Sequence, residues 1–179
     1  MLPPERISRF LSYLLRHRPK EYPITFDRHG FVPWDEVVDI VRERFREVTE
    51  EQMCAVVIGS DKQRFELKDG KVRATYGHSF PVDLGLEPVE PPPQLYYGTA
   101  RDLARSILRI GLGPRDRQYV HLSSSANDAL AVGKRRDPSP ATIVVDAGAA
   151  HAEGVRFFAS GPLFLAENIP SKFLSVDRK

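Results

Sequence analysis

The segment from Gly85 to Gln94, GLEPVEPPPQ, constrains this chain more than any other stretch, because it holds four prolines and shows no hydrophobic periodicity. A run of that kind is an extended, semi-stiff connector. It divides the 179 residues nearly in half. Domains commonly run to about 100–150 residues, so length by itself allows one large domain or two small ones. The connector favours two: residues 1–84, a linker at 85–94, and residues 95–179.

Before the linker, Ile7, Phe10, Leu11, Leu14 and Leu15 recur at helical spacing, and the helix they predict ends near Arg18 because Pro19 disfavours helical geometry in the residue before it. Arg16 and His17 then fall on its last turn. A short apolar GFVPW precedes a second helix from about Asp35 to Phe45, and a third follows from Thr49 to Ile58. RFELKDGKVRATY reads as a hairpin turning at Asp69-Gly70. Three helices followed by a two-stranded wing make a winged-helix pattern, common among nucleic-acid-binding modules.

After the linker, LYYGT reads as a strand entering a turn, Asp102 to Ile110 as a helix closed by Gly111, YVHLS as a strand, and Ala126 to Lys134 as a helix. TIVVDA, RFFAS and LFLAENI are three further strands. The whole is α+β, with a small mixed sheet in the second half. Neither GxGxxG nor GxxxxGK[ST] occurs, so a nucleotide bound there would be held by neither the Rossmann nor the P-loop route.

Hydrophobic residues at 41% and charged residues at 28% are ordinary globular usage. No run approaches the roughly 18 apolar residues of a membrane span, and the N-terminus lacks the apolar core of a secretory signal, so the expectation is a cytoplasmic protein away from membranes. Cys54, the one cysteine, reads as a small buried hydrophobe.

Net charge is only +2, but arginines cluster at Arg6, Arg9, Arg16 and Arg18 and again at Arg42, Arg44 and Arg46. The second cluster alternates with Glu43 and Glu47 and reads as a solvated helix face. In the first, Leu15-Arg16-His17-Arg18-Pro19 puts two guanidiniums and an imidazole at one helix end. The macrodipole favours cations there, so helix capping competes with anion binding as its explanation. In DKQRFEL, residues 61–67, strand alternation sends Phe65 inward and Arg64 outward. If wing and first helix pack together, Arg64 joins Arg16 and His17 in a cluster fit for a doubly charged phosphate. In the second half Arg117 and His121 flank QYVHLS, and Gly98-Thr99 makes a polar turn in which a glycine lets backbone approach a ligand.

Taken in order, LRHRP, DKQRFEL, VRATYGHS, LYYGT, RQYVHLS and GKRR resemble the RNA 2′-phosphotransferase family, the KptA type, along nearly the whole chain. The resemblance implies a winged-helix lobe followed by an ADP-ribosyltransferase-like lobe that binds NAD as a consumed co-substrate, with no metal. It also implies the reaction. An internal RNA 2′-phosphate, as at a tRNA splice junction, is transferred to NAD through an ADP-ribosylated RNA intermediate, leaving 2′-OH RNA, nicotinamide and ADP-ribose 1″,2″-cyclic phosphate. The partners so implied are NAD and 2′-phosphorylated RNA such as tRNA; nothing in the sequence suggests an obligate interface, so a monomer is expected.

The family's Arg-His-Arg-Arg set falls on Arg16, His17, Arg64 and Arg117. The arginines would hold the phosphate and offset charge accumulating on its oxygens. His17, beside two arginines that oppose its protonation, would position rather than donate a proton. Arg73, Gly77, His78 and Ser79 match an Arg-x-x-x-Gly-His-Ser stretch that faces the RNA or the cleft between lobes, with a loop that caps the wing as the alternative. Tyr97, Gly98, Thr99, His121, Leu122 and Ser123 match positions framing NAD. Two departures stand out: Tyr97 replaces a histidine common in the family, and Thr75 an asparagine. An ADP-ribosyltransferase acting on protein or on another nucleic-acid phosphate would use the same second lobe. Such enzymes place a Glu near the acceptor, and the last strands offer only Glu167. A winged-helix binder without enzymatic activity is a further alternative, separable by its lack of NAD binding.

Overall fold

The apolar stripe of the first segment folds as expected: α1 spans Pro4–His17 and buries Ile7, Leu11, Leu14 and Leu15. In this computed structural model, which describes residues 2–59 and 63–177, the chain forms two compact units that meet between Gly85 and Leu86. The described residues make six α-helices and two antiparallel sheets. No helix among them is long and apolar enough to cross a membrane.

In the first unit, β1 (Val32–Pro33) leads into α2 (Trp34–Arg44), and α3 (Glu50–Ile58) follows. Thr49 starts α3 with a reciprocal capping box: its hydroxyl accepts from the Gln52 amide, and the Gln52 side chain accepts from the Thr49 amide. β2 (Phe65–Lys68) and β3 (Lys71–Ala74) form the hairpin, with Asp69 at φ 51° and Gly70 at φ 71°. Positive φ at both central residues is the turn whose twist matches that of its strands, and Asp-Gly suits it. β1 adds to the other edge of β3, giving the order β1-β3-β2. Phe65, Val72, Met53, Val37 and Val41 close one core with the α1 stripe. Cys54 packs partly buried against that core, and burial pushes its thiol pKa up, in keeping with an apolar role. Asp61 and Lys62 of the DKQRFEL motif lie outside the described residues.

The second unit is built on seven strands in the order β10-β7-β5-β6-β9-β8-β4. They are β4 (Pro88–Val89), β5 (Gln94–Thr99), β6 (Val120–Ser123), β7 (Ala141–Asp146), β8 (Phe157–Ser160), β9 (Leu163–Ala166) and β10 (Leu174–Val176). The mixed sheet expected here is instead antiparallel at every described pairing. The strand-helix-strand spacing suggested parallel crossovers. After α4 (Arg101–Ile110), however, an irregular stretch from Gly111 to Tyr119, anchored by a Leu112–Ile169 bridge, brings the chain back to enter β6 from the end at which β5 finished. Part of the proline-rich segment is itself an edge strand, with Pro88 and Val89 opposite Phe158 and Phe157.

Helices cover both faces of this sheet. Ala104 and Ile107 of α4, with Ala147 and Ala150 of α6 (Ala147–Ala152), join Leu95, Leu122, Ile143 and Val145 in the second core. On the opposite face α5 (Ala126–Gly133) lies so close to β5 that a Cβ built on Gly98 would stand 1.7 Å from the Ala129 carbonyl oxygen. The N-terminus of α4 has no cap from its own Ala100. Asp137 supplies one by accepting from the Arg101 and Ser139 amides, and these two donors hold its carboxyl below the usual range.

Candidate active site

The last turn of α1 carries Arg16 and His17, and the loop after β3 holds that turn in place. The Ser79 amide and hydroxyl both donate to the Arg16 carbonyl, at 2.9 and 3.2 Å, satisfying one of the carbonyls that a helix end leaves open. The Arg16 guanidinium lies over the Tyr76 ring, 4.7 Å from its centroid. His17 Nδ1 is 3.0 Å from Ser79 Oγ. With the hydroxyl proton directed to the Arg16 carbonyl, Ser79 Oγ accepts from Nδ1–H, and in the neutral ring Nε2 then carries the lone pair.

Arg64 immediately precedes β2. Its Nη1 donates to Ser8 Oγ of α1 at 3.0 Å, and its carbonyl accepts from the Thr75 amide at 3.0 Å. Wing and first helix therefore do pack together. Arg64 and Arg16 touch consecutive residues of the chain leaving β3, Thr75 and Tyr76. Ser8 and Tyr76, both buried, are the supports that reading the sequence missed. A serine among Ile7, Leu11, Leu14 and Leu15 on the buried side of the helix was the available signal. The helix dipole is unfavourable to an anion at this end, so any phosphate held here depends on the side-chain charges.

The Arg-x-x-x-Gly-His-Ser stretch divides between interior and surface. Arg73 is an internal brace: it donates to its cross-strand partner Glu66 at 2.7 Å and to the His29 carbonyl at 3.2 Å, and its guanidinium lies 4.5 Å from the Phe31 ring centroid. His78 is 2% exposed and meets the Phe80 ring edge-on. Gly77 is buried at φ 89°, and only Ser79 of the four is exposed. His78 is thus buried, and Nε and Nη1 of Arg73 bond within the unit, an arrangement that suits the alternative of a loop capping the wing.

In the second unit the six residues matched to NAD lie on two adjacent strands. β5 and β6 share a single register pair, Tyr96 with Ser123, while Tyr97–Thr99 pair on their other side with Ile143–Ala141. Had the ladder continued, Tyr97, Gly98 and Thr99 would have faced Leu122, His121 and Val120. It stops, so these residues face each other across the β5–β6 boundary without ladder pairing. Alternation puts Tyr97, Thr99 and Leu122 on the α4 side with Leu95, and Gly98, His121 and Ser123 on the α5 side. Leu122 is wholly within the core, and α5 backbone fills the space that a side chain at Gly98 would take. Thr99 and Ser123 are buried, and Tyr97 and His121 half-buried. Arg117 lies before β6, half-buried, with its amide donating to the Pro114 carbonyl at 2.8 Å.

The sequence profile of the family described as RNA 2′-phosphotransferase, Tpt1 / KptA family, matches residues 3–163. This chain belongs to that family. A protein of Acetivibrio thermocellus named "Probable RNA 2′-phosphotransferase" is 41% identical over 175 residues, covering 96% of each chain. One of the same name from Agrobacterium fabrum is 45% identical, across 94% of this chain and 92% of its own. A third, from Thermococcus kodakarensis, is 37% identical with 96% of each chain covered. Of the four residues matched to the family set, Arg16, His17 and Arg64 stand in the first unit and Arg117 in the second.

Proposed function

We propose that this protein is an NAD-dependent RNA 2′-phosphotransferase, a cytoplasmic monomer that removes an internal 2′-phosphate from RNA such as a spliced tRNA. Membership of the family, with Arg16, His17, Arg64 and Arg117 all present, is the observation that carries this reading. The element order of the first unit, helix, short strand, two helices and hairpin, supports a winged helix. The split antiparallel sheet of the second supports an ADP-ribosyltransferase-like lobe.

NAD, as co-substrate, supplies the ribose that accepts the phosphate, with nicotinamide and ADP-ribose 1″,2″-cyclic phosphate as products. The residues present fit it. A molecule seated where the β5–β6 ladder ends would have Thr99 and Tyr97 on one face of the sheet and His121 and Ser123 on the other. Tyr97 donates and accepts a hydrogen bond where many relatives use histidine. Arg16 and Arg64 bind the phosphate and offset its growing charge, His17 orients it, and Arg117 adds a further cation. The rival acceptor chemistry needs an activating Glu, and Glu167 is instead ion-paired with Arg156 at 2.8 Å.

Incubation with a 2′-phosphorylated oligonucleotide, with and without NAD, tests the reading. Expected with NAD are 2′-OH RNA, nicotinamide and the cyclic phosphate, and without NAD no reaction. Inorganic phosphate released in the absence of NAD would overturn it.

A further inference from the structure

Arg18 closes α1 in the left-handed conformation, at φ 47° and ψ 57°. A side chain is strained there, and glycine is the usual occupant of such a helix stop. The turn therefore does not explain an arginine. Nor does an ion pair, since among the described residues its guanidinium has no hydrogen-bond or salt-bridge partner. Its Cζ instead lies 6.0 Å from the ring centroids of both Phe26 and Phe80.

These two rings meet at 62° with centroids 5.0 Å apart, and Phe80 is backed by the buried His78 ring. Both phenylalanines are only partly buried, and Arg18 is exposed. The cluster also directly adjoins the phosphate residues. Arg18 follows His17 in the chain, and Phe80 follows Ser79, which bonds both the Arg16 carbonyl and the His17 ring. An exposed, unneutralised guanidinium beside partly open aromatic rings is the surface on which unpaired RNA bases stack, because every base has a π-face.

We propose that Arg18, Phe26 and Phe80 form a stacking platform for an unpaired base flanking the nucleotide whose 2′-phosphate is held at Arg16 and His17. The proposal rests on the RNA 2′-phosphotransferase reading. The base lies against the rings, and the guanidinium stacks on it or reaches the adjoining backbone phosphate. RNA bound in a continuous duplex could not use this surface, so the platform selects substrates whose flanking nucleotide is unstacked.

The test is steady-state kinetics of the full chain at saturating NAD on three 2′-phosphorylated trinucleotides: one with all bases, one lacking the 5′ base and one lacking the 3′ base. For the unaltered protein, removal of one of the two flanking bases should raise KM about 10-fold, within the range for loss of one base–aromatic stack. Phe80→Leu and Arg18→Gly should raise KM on the intact trinucleotide by a similar factor and lose nothing further on that abasic substrate. Arg18→Gly should unfold at no lower temperature than the unaltered protein, because glycine suits the backbone there. Equal losses on all three substrates, with a lowered Tm for Arg18→Gly, would identify a structural clip and overturn the platform, as would indifference of the unaltered protein to both bases. Failure of the unaltered protein to transfer the phosphate from any of the three would overturn the parent reading, and the platform with it.

Discussion

Arg64 has one contact in the structure and one proposed role, and the two can be separated. Its Nη1 supports the buried Ser8 hydroxyl, while its remaining donors and its charge suit a phosphate. Arg64→Ala should lower turnover about 100-fold or more, the cost of losing a charge-assisted contact made in the transition state. It should also cost about 1 kcal/mol of stability through the orphaned serine. Ser8→Ala removes the anchor and keeps the charge, so its turnover should fall by about 10-fold, well short of the loss in Arg64→Ala, since a hydrogen bond from a charged donor contributes about 1.5 kcal/mol or more. Single-turnover rates and urea unfolding of both variants measure this. Near-normal activity in Arg64→Ala would leave Arg64 a strap between hairpin and helix. Strand alternation sends Arg64 outward, yet in the structure it is half-buried. That it would be tied to Ser8 was not legible in the sequence, because a contact between residues so far apart in sequence is set by how helix and hairpin pack.

At the scale of elements, the contact between α5 and β5 depends on Gly98. The Cβ of an alanine there would stand 1.7 Å from the Ala129 carbonyl oxygen and 2.9 Å from the Gly133 nitrogen, both backbone atoms that no rotamer can move. Gly98→Ala should therefore destabilise the protein by about 3 kcal/mol, at the upper end of overpacking costs, read as a lower urea midpoint. An unchanged midpoint would mean that α5 does not lie on β5 in this way. As a sequence, Gly98-Thr99 reads as a ligand turn. In the structure the glycine also admits the α5 backbone, a packing role that the sequence does not reveal. The strongly patterned elements, α1, α4 and the hairpin, were legible because their apolar spacing or Asp-Gly turn leaves little choice. By contrast α6, AGAAHA, has no apolar contrast to read, and β1, β4 and β10 are too short to show alternation. Their strand character comes from the neighbours with which they pair.

Across the whole molecule, the matched residues divide by unit: Arg16, His17 and Arg64 in the first, and Arg117 with the NAD-matched set in the second. Ser123→Ala should then raise the KM for NAD about fivefold to tenfold, the effect of one hydrogen bond, with the KM for RNA unchanged. Arg16→Ala should weaken RNA binding and leave the dissociation constant for NAD near normal, as measured by calorimetry. A Ser123→Ala variant altered only in its use of RNA would refute this division. The place where the chain divides, the helical stripe of α1, the hairpin turn and the order of the family motifs were all determined by the sequence alone, because each depends on residues adjacent or nearly adjacent along it. Three features were decided only by the tertiary structure. Arg73 and His78 face inward, the β5–β6 ladder stops after one pair, and Arg18 lies against two phenylalanines. Each depends on which surfaces meet once the chain has folded, a choice made by packing and burial between segments that local pattern does not connect.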